Sequence, residues 1–340
     1  MAKVLLVTIL GWVYSLVTVA YPVLFLRKSQ GTFVNEAPKP KPPRRGKAPV
    51  APAKPYADET MSVLLKGTIA TAILSLAATK TSNEFATPLQ TVFFCVATFA
   101  SYVWGARLPP GFTKTIHPLI TCTSLTLGII YLTGLATEST FTDVLRTYKV
   151  GSLDLMETGA GDVLLFLLGP SVVSFGVSIY GKKQLLKENF VTVMTAMLIS
   201  SVGGLFGTAA FVKAIKLGGS SGAMVRLSVL ARNVTTALSM AITSILGGDI
   251  SIAASVVVLT GIFGATYARR VLDGLGIADP ITRGLTVGAS SQGLGVASLV
   301  GEPDAFPFAA MSMVLTAVCA TIVVSIPSLK DALIAVATEA

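Results

Sequence analysis

The chain has 340 residues, of which 52% are hydrophobic and only 13% charged, and its mean hydropathy is +0.74. That composition excludes an ordinary soluble domain and describes an all-α polytopic membrane protein. The formal charge of +9 gathers largely between Arg27 and Lys54, so it marks one loop and not a basic face for nucleic acid.

Val4 to Phe25 is apolar, long enough to cross a hydrocarbon core of roughly 30 Å, and closes on Arg27-Lys28. It reads as a single transmembrane helix, residues 1–29. Residues 30–60, rich in Pro, Lys and Ala, cannot bury a core and read as a disordered linker. The remaining 61–340 read as one transmembrane domain. Its spans run from about Met61 to Ala78, Phe85 to Trp104, Ile116 to Leu135 and Asp162 to Tyr180. Val191 to Ile215, Val225 to Leu246, Ile250 to Tyr267, Arg283 to Val300 and Phe306 to Ile326 follow, giving about ten transmembrane helices in all. Glu138 to Glu157 reads as interfacial and Ser328 to Thr338 as an amphipathic tail helix.

If every span crosses, the linker shares its side with Arg107, Lys114, Lys182, Lys183 and Lys187, and faces the cytosol or a plastid stroma. Lys80, Arg146, Lys149, Lys213, Lys216, Arg269 and Arg270 then lie opposite. One broken span that turns back would invert every later loop.

Two spans are interrupted. Arg283 to Val300 carries Gly288, Gly293 and Gly295 together with Ser290, Ser291 and Gln292, and such a stretch survives at bilayer depth only where it lines a polar cavity. A Gly-interrupted span of this kind points to a transporter's substrate site. Asp162 to Tyr180 has Gly169-Pro170-Ser171 near its middle, where Gly169 loosens the helix and Pro170 removes a donor. Together they suggest two discontinuous spans in an inverted repeat, which requires that one of the three spans between them be re-entrant or miscounted, since three ordinary crossings would point both the same way.

Arg232 is the costliest residue in the apolar region, at about 2.5 kcal/mol or more if it sits at mid-membrane. Two placements are open, a cavity where its fork grips a carboxylate, or an interfacial anchor that snorkels. Asn233, Thr235 and Thr236 can bind hydroxyls, cap a half-helix or join helices. Asp162 caps the helix that it opens or, partly desolvated, carries a coupling proton. Gly203 and Gly207 let two helices approach. Cys95, Cys122 and Cys319 are assigned to packing, and His117 before Pro118 to an interfacial position. No metal or cofactor pattern and no enzyme signature is read.

The ordered set His117-Pro118-Leu119-Ile120, Gly159-Ala160-Gly161-Asp162, Asn233-Val234-Thr235, Val258-Leu259-Thr260-Gly261, Arg283-Gly284 and Gln292-Gly293-Leu294-Gly295 resembles the LrgB/CidB family. Glu302 to Phe308 and Ser325-Ile326-Pro327 extend the resemblance, which is strongest to plant and algal members, the plastidal glycolate/glycerate translocators. It implies exchange of glycolate and glycerate across the chloroplast inner envelope in photorespiration. It also implies a fused LrgA-like half, whose last span Gly11 to Lys28 resembles, and leads one to expect further spans and a transit peptide that are not read in these residues. The family usually places His where Gln292 stands, and Gln cannot titrate near neutral pH.

The expected substrate-binding set is therefore Arg232, Asn233, Thr235, Thr236, Ser290, Ser291, Gln292, Gly293, Gly169 and Ser171, with Asp162 as the candidate proton carrier. Glycolate, glycerate and membrane lipid are the expected partners, with a homo-oligomer or an LrgA-like partner beside them. A holin-like pore or a regulatory membrane protein is the alternative to a carrier.

Overall fold

The computed structural model describes residues 2–33, 56–113, 116–167, 169–170, 173, 177, 180–181, 183–219 and 222–338. The expected linker falls mostly on 34–55, outside the described residues, as does Ser171. In chain order the main helices are α1 (Ala2–Ser29), α2 (Asp58–Lys80), α3 (Ala86–Ala106), α4 (Pro118–Ala136), α5 (Phe141–Tyr148), α6 (Ala160–Phe166) and α7 (Lys183–Glu188). Then come α8 (Phe190–Ala214), α9 (Ala223–Ser228), α10 (Thr236–Leu246), α11 (Ile250–Gly274), α12 (Pro280–Ser298), α13 (Phe306–Ser325) and α14 (Pro327–Thr338). Seven of them, α1 to α4, α8, α11 and α13, are long and apolar enough to cross a membrane, and no strand occurs among the described residues. The protein is an all-α polytopic membrane protein. It divides into one unit of Met1–Pro42 with Phe175–Ala340 and another of Pro43–Ser174.

In the Pro43–Ser174 unit, α2 to α6 gather round Phe93, Phe94, Ala97, Ile130, Val144 and Ala160. His117 accepts from the Leu119 N–H through Nδ1 at 3.3 Å and, with Pro118 at the first helical position, opens α4. Asp162 opens α6. Its Oδ2 accepts from the N–H groups of Val150 (2.8 Å) and Gly159 (3.1 Å), and its Oδ1 from that of Gly151 (3.0 Å).

In the other unit α1 is no appendage: Val7, Leu16, Val19 and Val23 are wholly buried, and the helix packs against α8, α11 and α12. Four helices, α1, α8, α11 and α13, run the length of this unit, and two stretches expected to cross turn back instead.

The first is Ala223 to Leu246. Residues 229–235 leave the helix between α9 and α10, Gly247 ends α10 in the left-handed region, and the Asp249 N–H then donates to Ser228 Oγ at 2.7 Å. The two ends of the excursion, 21 residues apart, are thus neighbours beside the start of α11. Expected as an ordinary continuous span, it is a hairpin in which the irregular 229–235 leads from the base at Ser228 to the start of α10, and α10 returns.

The second is α12. Asp279 caps it, accepting from the Thr282 N–H at 2.8 Å, and Pro280 supplies a preset first turn. Helical geometry stops at Gln292, where φ is 47° and ψ −150°. A Cβ on Gly295 would stand 3.1 Å from Val287 Cγ1, a contact a straight helix forbids between residues eight apart. At the base Arg283 grips Glu302 through Nε (2.8 Å) and Nη2 (2.9 Å), while its Nη1 reaches Asp273 at 2.6 Å. The discontinuity expected here is present, and it reverses the chain.

The hairpins enter from opposite ends of α11. One has its base at Asp249, the other at Asp273, and the tip of the second reaches Val257, where Gln292 Nε2 donates to the carbonyl at 2.6 Å. At 1.5 Å per residue the tip lies about 24 Å from the Asp273 level and about 12 Å from the Asp249 level. Because the first hairpin returns to its own side, α11 runs the other way from strict alternation. Arg269 and Arg270 therefore end beside Asp273, in the same region as the Arg27–Asp279 pair, and not on the side opposite the end of α1.

Candidate functional site

The tips meet. A continuous α12 would offer the Gly293 N–H to the Ala289 carbonyl, and the turn at Gln292 takes that donor out of line. Two side chains replace it: Ser200 Oγ donates to the Ala289 carbonyl at 2.9 Å, and Asn233 Nδ2 at 3.4 Å. Asn233 Nδ2 also reaches the Ser200 carbonyl and hydroxyl, both at 3.1 Å. Ser200 stands in a π-helical turn, Ile199–Gly203, the kind of local rewinding that frees a carbonyl for such use. Asn233 thus acts as a splice between two broken helices.

Arg232, the residue before it, is 1% exposed. Its Nη2 donates to Ser15 Oγ on α1 at 3.1 Å, while Nε and Nη1 have no partner. Arg232 is among the residues lining a cavity of about 320 Å³, with Gly11, Gly207, Thr208, Phe211 and the exposed Leu10 and Tyr14. That is within the range of small-ligand pockets, about 300–1,000 Å³. Gly11 is required by this packing, since a Cβ there would lie 2.5 Å from Arg232 Nε. The Tyr14 hydroxyl donates to the Gly203 carbonyl at 3.4 Å and packs on Gly207, so of the two glycines Gly207 is the one at which α1 approaches closely, while a Cβ on Gly203 would meet only Ile199 of its own helix. Of the two placements open for Arg232, the structure has the buried one.

The rest of the second tip is tied into the same wall. Trp12 Nε1 donates to Ser291 Oγ at 2.9 Å, Ser291 Oγ lies 3.0 Å from Ser290 Oγ, and Ser290 Oγ donates to the Thr286 carbonyl at 2.8 Å. Gly293 comes near Met313 Sδ and bonds nothing through a side chain. Thr235 is the N-cap residue of α10 but makes no side-chain cap, and its buried hydroxyl is unpartnered; Thr236, half-buried, begins the helix. The positive end of the α10 dipole is therefore left without a side-chain acceptor a few residues past Arg232.

The Asn233 bond to the Ala289 carbonyl joins the stretch of Arg232, Asn233, Thr235 and Thr236 to that of Ser290, Ser291 and Gln292, and of these residues only Arg232 lines the cavity. Gly169, exposed, and Asp162 belong to the other unit. Three backbone N–H groups donate to Asp162, which caps the start of α6. Sequence reasoning missed Gly11, Ser15, Ser200 and Thr208. The available signal was Gly11 and Ser15 four apart on one face of an otherwise apolar helix.

A buried cation with two free donors, beside an uncapped helix start and a cavity, can hold a small anion. In sequence comparison, the LrgB-like family model matches residues 98–328. Over 333 residues the chain is 31% identical to plastidal glycolate/glycerate translocator 1, chloroplastic, of Arabidopsis thaliana. That alignment takes in 96% of this chain and 61% of the relative, so the chain spans about three-fifths of the relative's length. No solved structure matches it. The family match covers well over half of the sequence, and the chain belongs to the LrgB-like family.

Proposed function

We propose that this protein is a secondary transporter of small 2-hydroxycarboxylates, with glycolate and glycerate exchanged across the chloroplast inner envelope in photorespiration. The observation that carries the reading is Arg232, buried with Nε and Nη1 unbonded on a cavity of small-ligand size. Leaving a charged donor unsatisfied in the interior costs about 1–3 kcal/mol or more, and a substrate carboxylate relieves that cost when it binds. The similarity to the Arabidopsis glycolate/glycerate translocator supports the substrate class.

The opposed hairpins suit alternating access. Each has its base at one end of α11 and its tip at the site, so moving one base would open the site to one face while the other stays shut. A homo-oligomer or a complex with an LrgA-like subunit belongs to the same reading, and light scattering of the protein with and without a co-expressed LrgA-like chain tells them apart.

Counterflow in proteoliposomes tests the function. Unlabelled glycerate inside should accelerate uptake of labelled glycolate; uptake indifferent to the internal substrate would describe a holin-like pore and defeat the proposal.

A further inference from the structure

Half of the described helical threonines in the unit that holds Arg232 fold their hydroxyls back onto the carbonyl four residues earlier. Thr8 bonds Val4 (2.9 Å), Thr18 bonds Tyr14 (2.7 Å), Thr260 bonds Val256 (2.8 Å) and Thr266 bonds Ile262 (2.8 Å). Such a bond satisfies a hydroxyl that lipid or core would otherwise strand. Thr208 on α8 does not make it. Its side chain is 2% exposed and Oγ1 has no partner. Thr235, Ser239, Thr243, Thr286 and Thr316 share that condition in the same unit, but among them Thr208 alone lines the Arg232 cavity.

The other polar groups around the cavity are committed. Ser15 accepts from Arg232 and Tyr14 donates to Gly203, and the remaining lining is Leu10, Phe211 and two glycines. Thr208 therefore carries the one unpartnered hydroxyl among the residues that line the cavity with Arg232, in an otherwise apolar surround. A hydroxyl can donate and accept, so it can pair with an alcohol in either sense.

We infer that Thr208 is the specificity-determining residue that recognises the substrate's hydroxyl, so that the cavity prefers a 2-hydroxy acid to the same acid without the hydroxyl. The inference rests on the Arg232 reading. Discrimination follows because the deoxy acid leaves Thr208 buried and unpaired, the arrangement by which sites built around a hydroxyl reject analogues lacking it.

Counterflow of labelled glycolate, competed by unlabelled glycolate or acetate, provides the test in wild type, Thr208→Val, Thr208→Ser and Arg232→Gln. Wild type and Thr208→Ser should prefer glycolate. Thr208→Val, nearly isosteric, should lose about tenfold in glycolate affinity with acetate competition unchanged. No preference in wild type, an undiminished preference in Thr208→Val, or an equal loss for both acids would overturn the role of Thr208. If Arg232→Gln is inactive while Thr208→Val keeps its preference, only this inference falls. If Arg232→Gln exchanges glycolate as wild type does, the Arg232 reading falls with it.

Discussion

Asn233 and Ala289 stand at the tips of two hairpins that enter from opposite ends of α11, and the Asn233 amide donates to the Ala289 carbonyl at 3.4 Å. The same amide bonds Ser200, so one side chain holds three elements whose backbone bonding is interrupted. Asn233→Leu keeps the bulk and removes the donors. It should destabilise the protein by about 1–3 kcal/mol, the cost of buried acceptors left short, read as a lowered midpoint of thermal unfolding in detergent. An unchanged midpoint would mean that the tips are held by other contacts.

Gln292 tests the backbone of the second tip. In a helix interior Gly is less stable than Ala by about 1 kcal/mol. At φ 47° and ψ −150° the order should reverse, because a region open mainly to glycine strains any other residue by about 1–3 kcal/mol. Both Gln292→Gly and Gln292→Ala lose the bond to the Val257 carbonyl, so their difference isolates the strain. The glycine variant should unfold at the higher temperature; the reverse order would indicate an ordinary helical residue.

Near the base of the second hairpin, Arg27 binds Asp279 through Nη2 at 3.0 Å and Nε at 3.2 Å, with both side chains buried. Arg27→Met alone leaves the carboxylate without its guanidinium and should cost about 3–5 kcal/mol. Pairing it with Asp279→Asn, which retains a capping oxygen for Thr282, should recover part of the loss. Additive losses in the double variant would show that the pair is not coupled.

The reversal of both hairpins has a topological consequence. In a variant lacking Cys95, Cys122 and Cys319, single cysteines at Leu275 and Val300 flank the second hairpin, and at Met224 and Ile250 the first; all four positions are exposed. A membrane-impermeant maleimide should label Leu275→Cys and Val300→Cys from one face, and Met224→Cys and Ile250→Cys from the other. Labelling of either flanking pair from opposite faces would describe a crossing helix.

The apolar spans were legible because length and hydropathy suffice for a crossing helix: α1, α2, α3, α4, α8, α11 and α13 fall within a few residues of their expected ends, save α11, which runs on to Gly274. The glycine and serine run that ends in Gln292 also announced its own interruption. Reversal was not legible, since a hairpin and a kinked span have the same composition, and only a distant contact such as Arg283 to Glu302 separates them. The break before Thr236 was hidden for another reason. Val225 to Leu246 has a span's length, and the residues that break it, Arg232 and Asn233, find partners on α1 and α8 that sequence spacing does not reveal. Arg27 looked like a flanking positive charge, and its buried partner lies 252 residues away.

The most direct test is equilibrium binding of glycolate to purified protein in detergent, by calorimetry, for wild type and Arg232→Gln. Charge-assisted bonds of about 1.5–3 kcal/mol correspond to a loss of between about tenfold and a hundredfold in affinity. Because the guanidinium is buried with two nitrogens unpaired, the substrate-free variant should unfold no more easily than wild type. Weakened binding with retained stability is the expected result; glycolate bound equally by both proteins would contradict a carboxylate site at Arg232.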